Sequence, residues 1–379
     1  MTRFRALDGW RGICALLVAA HHVEAHGWLY GQPLVRNAWL FVDFFFVLSG
    51  FVIAHAYGER LGRIAEAKDF MVRRLGRLWP LHVAVLLALV ALELAYLVIG
   101  HVHPLPGARA AFTAGRSPFA ILTNLLLLQA FGMHDYDTWN GPAWSISVEF
   151  YTYLVFAAVC LAASQRGLRL AVCALLSIGG AFVLARFSQY GMRETFHWSI
   201  FRCLYGFFLG VLTFEAWRSG PLRALSGTAA EIATLAAIVA FLTFVPGRPA
   251  LEFLATPLFA LSVLVFAGES GLVSRALVAR PAAALGRWSY SIYMVHTLAL
   301  AVLFSLVQAL HPAWLAPAAG GFAILDLGSR TADDLAMLLF LAIVIALSAL
   351  TWTAIERPGQ RLLARLLAVK PVEMKVKTA

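Results

Sequence analysis

Gly9-Trp-Arg-Gly-Ile-Cys-Ala-Leu-Leu-Val-Ala-Ala-His-His-Val23 is apolar except for Arg11, His21 and His22. Eleven residues at about 100° each return to within roughly 20° of the start. Arg11 and His22 therefore share one face of a helix, about 16 Å apart along its axis. A cation and an imidazole on one face of an apolar helix are costly in hydrocarbon, and such groups face a cavity or a partner. His21 points about 100° away from that face and is secondary.

The rest of the chain has the same character. Of 379 residues, 61% are hydrophobic and only 13% charged, and the mean hydropathy is +0.78. Apolar runs near 20 residues, each able to cross about 30 Å of hydrocarbon, recur throughout. The expected fold is all-α, a polytopic membrane bundle of about ten transmembrane helices. Spans fall near 7–26, 38–57, 79–100, 142–163, 168–187, 198–217, 228–246, 251–268, 288–310 and 335–356. Residues 1–379 read as a single integral-membrane domain with a short basic tail, 357–379, and no fused soluble domain. The apolar piece Phe119–Phe131 is about 20 Å long as a helix, too short to span, and reads as interfacial or re-entrant. Segments 101–118 and 311–334, rich in Pro, Gly and small residues, are expected to cover the outer face.

The net charge is +10, but the basic residues cluster at the ends of apolar runs, which argues for membrane orientation and against nucleic acid. One side collects Arg3, Arg5, the run Arg60–Arg77, Arg166, Arg169, Arg218, Arg223, Arg275, Arg280, Arg287 and the basic tail. The other holds only scattered arginines such as Arg36, Arg109, Arg116, Arg193, Arg248 and Arg330. The positive-inside rule then places both termini in the cytoplasm. The first span carries histidines and Glu24 without a small-residue exit and is expected to stay uncleaved. Cys14, Cys160, Cys173 and Cys203 lie in apolar segments without CxxC spacing. Neither they nor an HExxH motif suggests a metal site.

Depth brings other ionisable residues near His22. The second span runs inward through Phe41-Val-Asp-Phe-Phe-Phe-Val-Leu-Ser-Gly50, and the fourth through Asn140-Gly-Pro-Ala-Trp-Ser-Ile-Ser-Val-Glu149. Asp43 and Glu149 therefore fall in the outer half with His22, and the three are expected to converge. A carboxylate on one ring nitrogen fixes the tautomer and raises the basicity of the other, as a general base requires. A hydrogen-bonded structural histidine is the competing reading. His296 either lines the same cavity or packs. Arg73-Arg-Leu-Gly-Arg-Leu-Trp-Pro80 places three guanidinium groups, of Arg73, Arg74 and Arg77, at the cytoplasmic end of the third span. They suit phosphate, which arginine binds bidentately, or simple membrane anchoring. Ser49-Gly50 and Gly141-Pro142 mark close helix packing and a helix start. On residues alone, a proton-coupled transporter or flippase for a glycan or lipid-linked intermediate explains the buried charges equally well. It leaves the arginine block unexplained and calls for inverted repeats that are not seen. A non-catalytic subunit of a polysaccharide export complex is a third reading.

Six motifs in order decide among these. They are Leu7-Asp-Gly-Trp-Arg-Gly12 leading to His22, Val42-Asp-Phe-Phe-Phe-Val-Leu-Ser-Gly-Phe51, the Arg73–Pro80 block and Trp144-Ser-Ile-Ser-Val-Glu-Phe150. Leu285-Gly-Arg-Trp-Ser-Tyr-Ser-Ile-Tyr293 with His296, and Glu356-Arg-Pro358, complete the set. Through them the chain resembles the bacterial type-3 membrane acyltransferases, O-acetylases of O-antigens, exopolysaccharides and Nod factors and acylases of macrolides. Two departures stand out. Phe150 follows Glu149 where the family often has a second acidic residue. Many relatives also carry a soluble extracytoplasmic domain, so this chain is expected to act alone or with a separate partner protein.

The resemblance implies acyl transfer from acyl-coenzyme A, with acetyl-CoA the expected donor, to a hydroxyl of a carbohydrate-type acceptor in the bacterial cytoplasmic (inner) membrane. Arg11, Arg73, Arg74 and Arg77 would bind the donor's phosphates. His22, oriented by Asp43 or Glu149, would act as base or as a transient acyl carrier. Ser145, Ser147, Tyr293 and His296 would line the cavity, with hydroxyls available to an oxyanion.

Overall fold

The computed structural model describes residues 3–102, 110–220, 225–317 and 323–367. Its main helices are α1 (Arg5–His21), α2 (Phe41–Tyr57), α3 (Ile64–Val102), α4 (Pro118–Leu125), α5 (Trp144–Ala162), α6 (Arg166–Phe187) and α7 (Ser199–Arg218). They continue with α8 (Thr228–Phe244), α9 (Ala255–Phe266), α10 (Leu272–Val278), α11 (Arg280–Leu310), α12 (Arg330–Thr351) and α13 (Arg357–Leu366). Among the described residues, eight helices are long and apolar enough to cross a membrane. The other two expected spans fall on α1 and α8, each of 17 residues. The chain is an all-α polytopic bundle.

Boundaries differ from expectation where charges sit inside helices. The third expected span, 79–100, is part of a 39-residue helix, so the arginine block lies within α3 rather than before it. Pro80 interrupts the hydrogen-bond ladder there, and α13 packs against it: a Cβ on Gly359 would strike the Pro80 ring. Such packing is how membrane helices tolerate an internal proline. The last span ends in a π-helical turn, Trp352–Glu356, which carries Glu356 into the interior.

The segment 119–131 is re-entrant. Its approach is fixed beside Glu93 of α3, which accepts from Phe112 N at 2.9 Å and Arg116 at 2.7 Å. Its tip is fixed by Trp79 and His82 of the same helix, bonded to Leu125 O at 3.0 Å and Asn124 O at 2.9 Å. Those anchors are about 21 Å apart along the helix. The tip then receives Ser147 Oγ on Leu127 O at 2.5 Å and Tyr151 OH on Leu126 O at 3.1 Å. The chain returns to its starting level, where Trp139 N bonds Gly115 O at 2.8 Å. Irregular backbone is tolerated at that depth because side chains satisfy its carbonyls.

Part of the 311–334 segment closes over α1. Strands β1 (Leu315–Pro317) and β2 (Ala323–Leu325) pair antiparallel, with Leu315 opposite Leu325. Leu325 N then bonds Glu24 O at 2.9 Å, just beyond the end of α1. Arg109, Arg223 and the tail lysines Lys370, Lys375 and Lys377 lie outside the described residues.

Glycines allow the central helices to touch backbone to backbone, as small residues do in membranes. A Cβ on Gly50 of α2 would overlap the Phe207 carbonyl of α7, and one on Gly210 would overlap the Val47 carbonyl. Gly179 in α6 has nothing within 4 Å of that position. Gly50→Ala is therefore expected to cost about 1–3 kcal/mol through overpacking. Gly179→Ala should be neutral or slightly stabilising. Melting temperatures of the two variants in detergent check the contrast.

Candidate active site

Helices α1, α2, α3, α5 and α11 enclose a cavity of about 150 Å³. Three guanidinium groups reach it, those of Arg11, Arg74 and Arg77, together with Ser49, Ser145, Glu149, Tyr153, Ser289, Tyr290 and Tyr293. Arg11 is braced against α11, with Nε donating to Ser289 Oγ at 2.8 Å and Nη2 to Gly286 O at 3.0 Å. It also pairs with Asp8 at 3.2 Å. Arg74 lies over the rings of Tyr57, Phe70 and Tyr153 at 5.6–5.9 Å, and its buried Nε has no partner. Arg77 lies over Tyr290 and pairs with Glu356.

Glu356 also accepts from Ser291 Oγ at 2.8 Å, so it holds Arg77 from the far end of the chain. In the sequence Glu356 stands out only through the Glu356-Arg-Pro358 motif. A carboxylate at the end of an apolar span was the available signal that it needed a cation. Arg73 stands next to Arg74 in the block but is not in the cavity wall. One residue along a helix turns the side chain by about 100°.

Glu149 accepts from Tyr153 OH at 2.7 Å, and that hydroxyl lies 3.1 Å from Ser49 Oγ. The wall thus gathers three arginines against one carboxylate of its own, an arrangement suited to a bound anion. Ser145 belongs to the wall, whereas Ser147 was wrongly expected there: its hydroxyl is used on Leu127 O of the re-entrant tip.

His22 sits where α1 ends. Its Nδ1 lies 2.8 Å from Val18 O. A carbonyl only accepts, so Nδ1 carries the proton and Nε2 keeps its lone pair. The orienting group is the backbone of its own helix rather than a carboxylate. His296 of α11 repeats the arrangement, with Nδ1 on Ile292 O at 3.2 Å. The two rings meet at 4.8 Å between centroids. His296 packs on His22 instead of lining the cavity. Tyr293 stands between, with its ring 6.0 Å from that of His296. Its hydroxyl is in the cavity wall, 2.9 Å from Pro142 O and from Ser145 Oγ.

The expected convergence of Asp43 on His22 does not occur. Asp43 is fully buried and held bidentately by Arg202 of α7, with Nε and Nη2 at 2.9 and 2.7 Å. Arg202 is only 2% exposed, and its guanidinium also lies 5.1 Å from the Trp144 ring centre. A carboxylate that accepts two charge-assisted bonds in the core is a structural counter-ion. Arg202 was missed by sequence reasoning. The signal was a lone arginine inside the apolar stretch Ser199-Ile-Phe-Arg-Cys-Leu204, which needs a buried partner.

A family model described as an acyltransferase domain matches residues 4–353. "Acyltransferase MdmB" of Streptomyces mycarofaciens is 26% identical over 400 aligned residues, covering 96% of this chain and 94% of that protein. "Protein 2 in picA locus" of Rhizobium radiobacter is 36% identical over 163 residues, 41% of this chain and 81% of that protein. No solved structure matches significantly.

Proposed function

The chain belongs to the type-3 acyltransferase family and is a multi-pass membrane acyltransferase; from that premise we propose that it moves an acyl group, expected to be acetyl, from acyl-coenzyme A to a hydroxyl of a carbohydrate-type acceptor. The observation that carries the reading is the cavity in which Arg11, Arg74 and Arg77 gather, one tyrosine away from the His22–His296 pair. Arginine forks match phosphate oxygens. Arg11 and His22 stand about 16 Å apart along α1, a distance that an extended pantetheine arm spans. The donor's phosphates would lie at the arginines of the cavity, with its thioester past Tyr293 toward His22.

The chemistry follows from the free Nε2 of His22. It takes the proton of the acceptor hydroxyl as that oxygen attacks the thioester carbon. The carbon–sulfur bond then breaks, and the imidazolium returns the proton to the thiolate. Val18 O holds the Nδ1 proton throughout, so the tautomer need not change. The hydroxyls of Ser145 and Tyr293, 2.9 Å apart, both donate to Pro142 O, and turning one of them from that carbonyl would supply a donor for a developing oxyanion. The expected setting is the bacterial inner membrane, with the donor reaching the arginines from the cytoplasm.

Thiol release from acetyl-CoA by detergent-purified protein, with envelope glycans as acceptor, tests the reading. Arg74→Gln is the informative variant, because among the described residues Arg74 pairs with no carboxylate that its loss would strand. Losing a charge-assisted contact of about 1.5–3 kcal/mol should raise the KM for acetyl-CoA about 10- to 100-fold. Arg73→Gln should stay near wild type. No release, together with no thermal stabilisation by acetyl-CoA, would overturn the donor assignment.

A further inference from the structure

His296 is fully buried at 0% exposure, yet its Nε2 has no hydrogen-bond partner. Nδ1 is committed to Ile292 O, so Nε2 can only accept. An unpaired buried polar atom is costly and calls for the group that pairs it. His22 presents the same chemistry beside it, a lone pair on Nε2 with Nδ1 committed to Val18 O. Asn140 adds a third acceptor. Its amide nitrogen donates to Met294 O at 3.0 Å, two residues before His296, and its Oδ1 is buried without a partner. Nε2 of each imidazole and Oδ1 of Asn140 each offer a lone pair. A lone alcohol satisfies one of them, whereas a polyol satisfies several.

We propose that His296 positions the acceptor: its Nε2 takes a hydrogen bond from the hydroxyl adjacent to the one that His22 deprotonates, which makes the acceptor a vicinal diol, such as a ring sugar with neighbouring free hydroxyls. The inference rests on the acyl-transfer reading above and narrows its acceptor. In the transfer, His22 Nε2 gains the proton of the first hydroxyl, the ester carbon–oxygen bond forms and the thioester carbon–sulfur bond breaks. The proton then passes to the departing thiolate. The second hydroxyl keeps its proton and stays on His296. Two neighbouring imidazole nitrogens can hold both oxygens of a diol and turn the reacting one toward the base. A site built around a substrate hydroxyl discriminates against the analogue that lacks it, because its own buried group is then left unpaired.

A cycle between enzyme and substrate tests this. Wild type, His296→Phe and His296→Gln are assayed with acetyl-CoA on a methyl glycoside bearing neighbouring free hydroxyls and on its monodeoxy analogue. His296→Phe keeps a ring in the core but has no acceptor, while Gln restores an acceptor oxygen. Removing the second hydroxyl or the imidazole should each lower acceptor kcat/KM by about 10- to 100-fold. Removing both should cost little more than removing one. The KM for acetyl-CoA should not move, and His296→Gln should recover part of the loss. Additive losses, or equal rates of wild type on the two glycosides, overturn the proposal. So does a His296→Phe defect that extends to acetyl-CoA KM and melting temperature with no rescue by Gln, since that is a packing role. Wild-type transfer to another alcohol but to neither glycoside refutes the diol. Absence of thiol release with any acceptor refutes the acyl-transfer reading itself.

Discussion

His22→Ala is expected to lower acyl transfer about a thousandfold while the protein stays folded and still binds acetyl-CoA. General-base catalysis contributes about 10²- to 10⁴-fold, and the position of His22 lets that loss be seen in isolation. Its side chain is half-buried, and its hydrogen bond goes to Val18 O of its own helix. Truncation therefore breaks no bond between helices. Its ring neighbours are His21 and His296, and neither depends on it for a hydrogen bond. The arginines lie in the cavity beyond Tyr293 and keep their partners: Ser289 of α11 for Arg11, the Tyr57, Phe70 and Tyr153 rings for Arg74, and Glu356 for Arg77. Thiol release, a melting curve and stabilisation by acetyl-CoA measure the three properties separately. A folded His22→Ala variant within about tenfold of wild-type rate would remove His22 as base. Glu149, the only carboxylate among the described residues of the cavity wall, would then be the group to replace.

What could be read from the chain follows from what a linear pattern encodes. Apolar runs fix which segments cross, so each of the ten expected spans falls on a helix. The shortness of Phe119–Phe131 correctly kept it from spanning. The six motifs located the family. Residue counting also gives depth, which is why Arg11 and His22 fall along one face of α1, near Ser289 and His296 of α11 respectively. Depth does not give azimuth. Asp43 and Glu149 are expected at the level of His22, yet Asp43 turns toward α7, where its partner Arg202 lies 159 residues away, and Glu149 sits with Tyr153 and Ser49 in the arginine cavity rather than on His22. The same gap hid the Arg77–Glu356 pair, whose members are 279 residues apart. The tautomer of His22 was also out of reach. A carboxylate was the expected partner, but a histidine at a helix end can bond the carbonyl four residues back, and here it does.

Asp43→Ala is expected to prevent accumulation of folded protein, and its rescue should show what Asp43 is for. Breaking a buried ion pair from one side costs about 3–5 kcal/mol, because the remaining charge is stranded without solvent. Arg202 would be that charge, 2% exposed and left with a long 3.4 Å contact to Glu194 O and the face of Trp144. The loss is a large fraction of the stability of a typical protein. Replacing both members with apolar residues of similar size is instead about neutral or stabilising. The double variant Asp43→Leu/Arg202→Met should therefore refold and melt near wild type. It should also transfer acyl groups at a rate of the wild-type order, since His22 takes its tautomer from Val18 O and not from Asp43. Asp43→Asn should fall between, because one guanidinium bond to an amide oxygen survives. A double variant that folds and binds acetyl-CoA but transfers nothing would return Asp43 to the chemistry. Recovery of folding together with activity would place the pair in the scaffold that joins α2 to α7, with proton transfer left to His22.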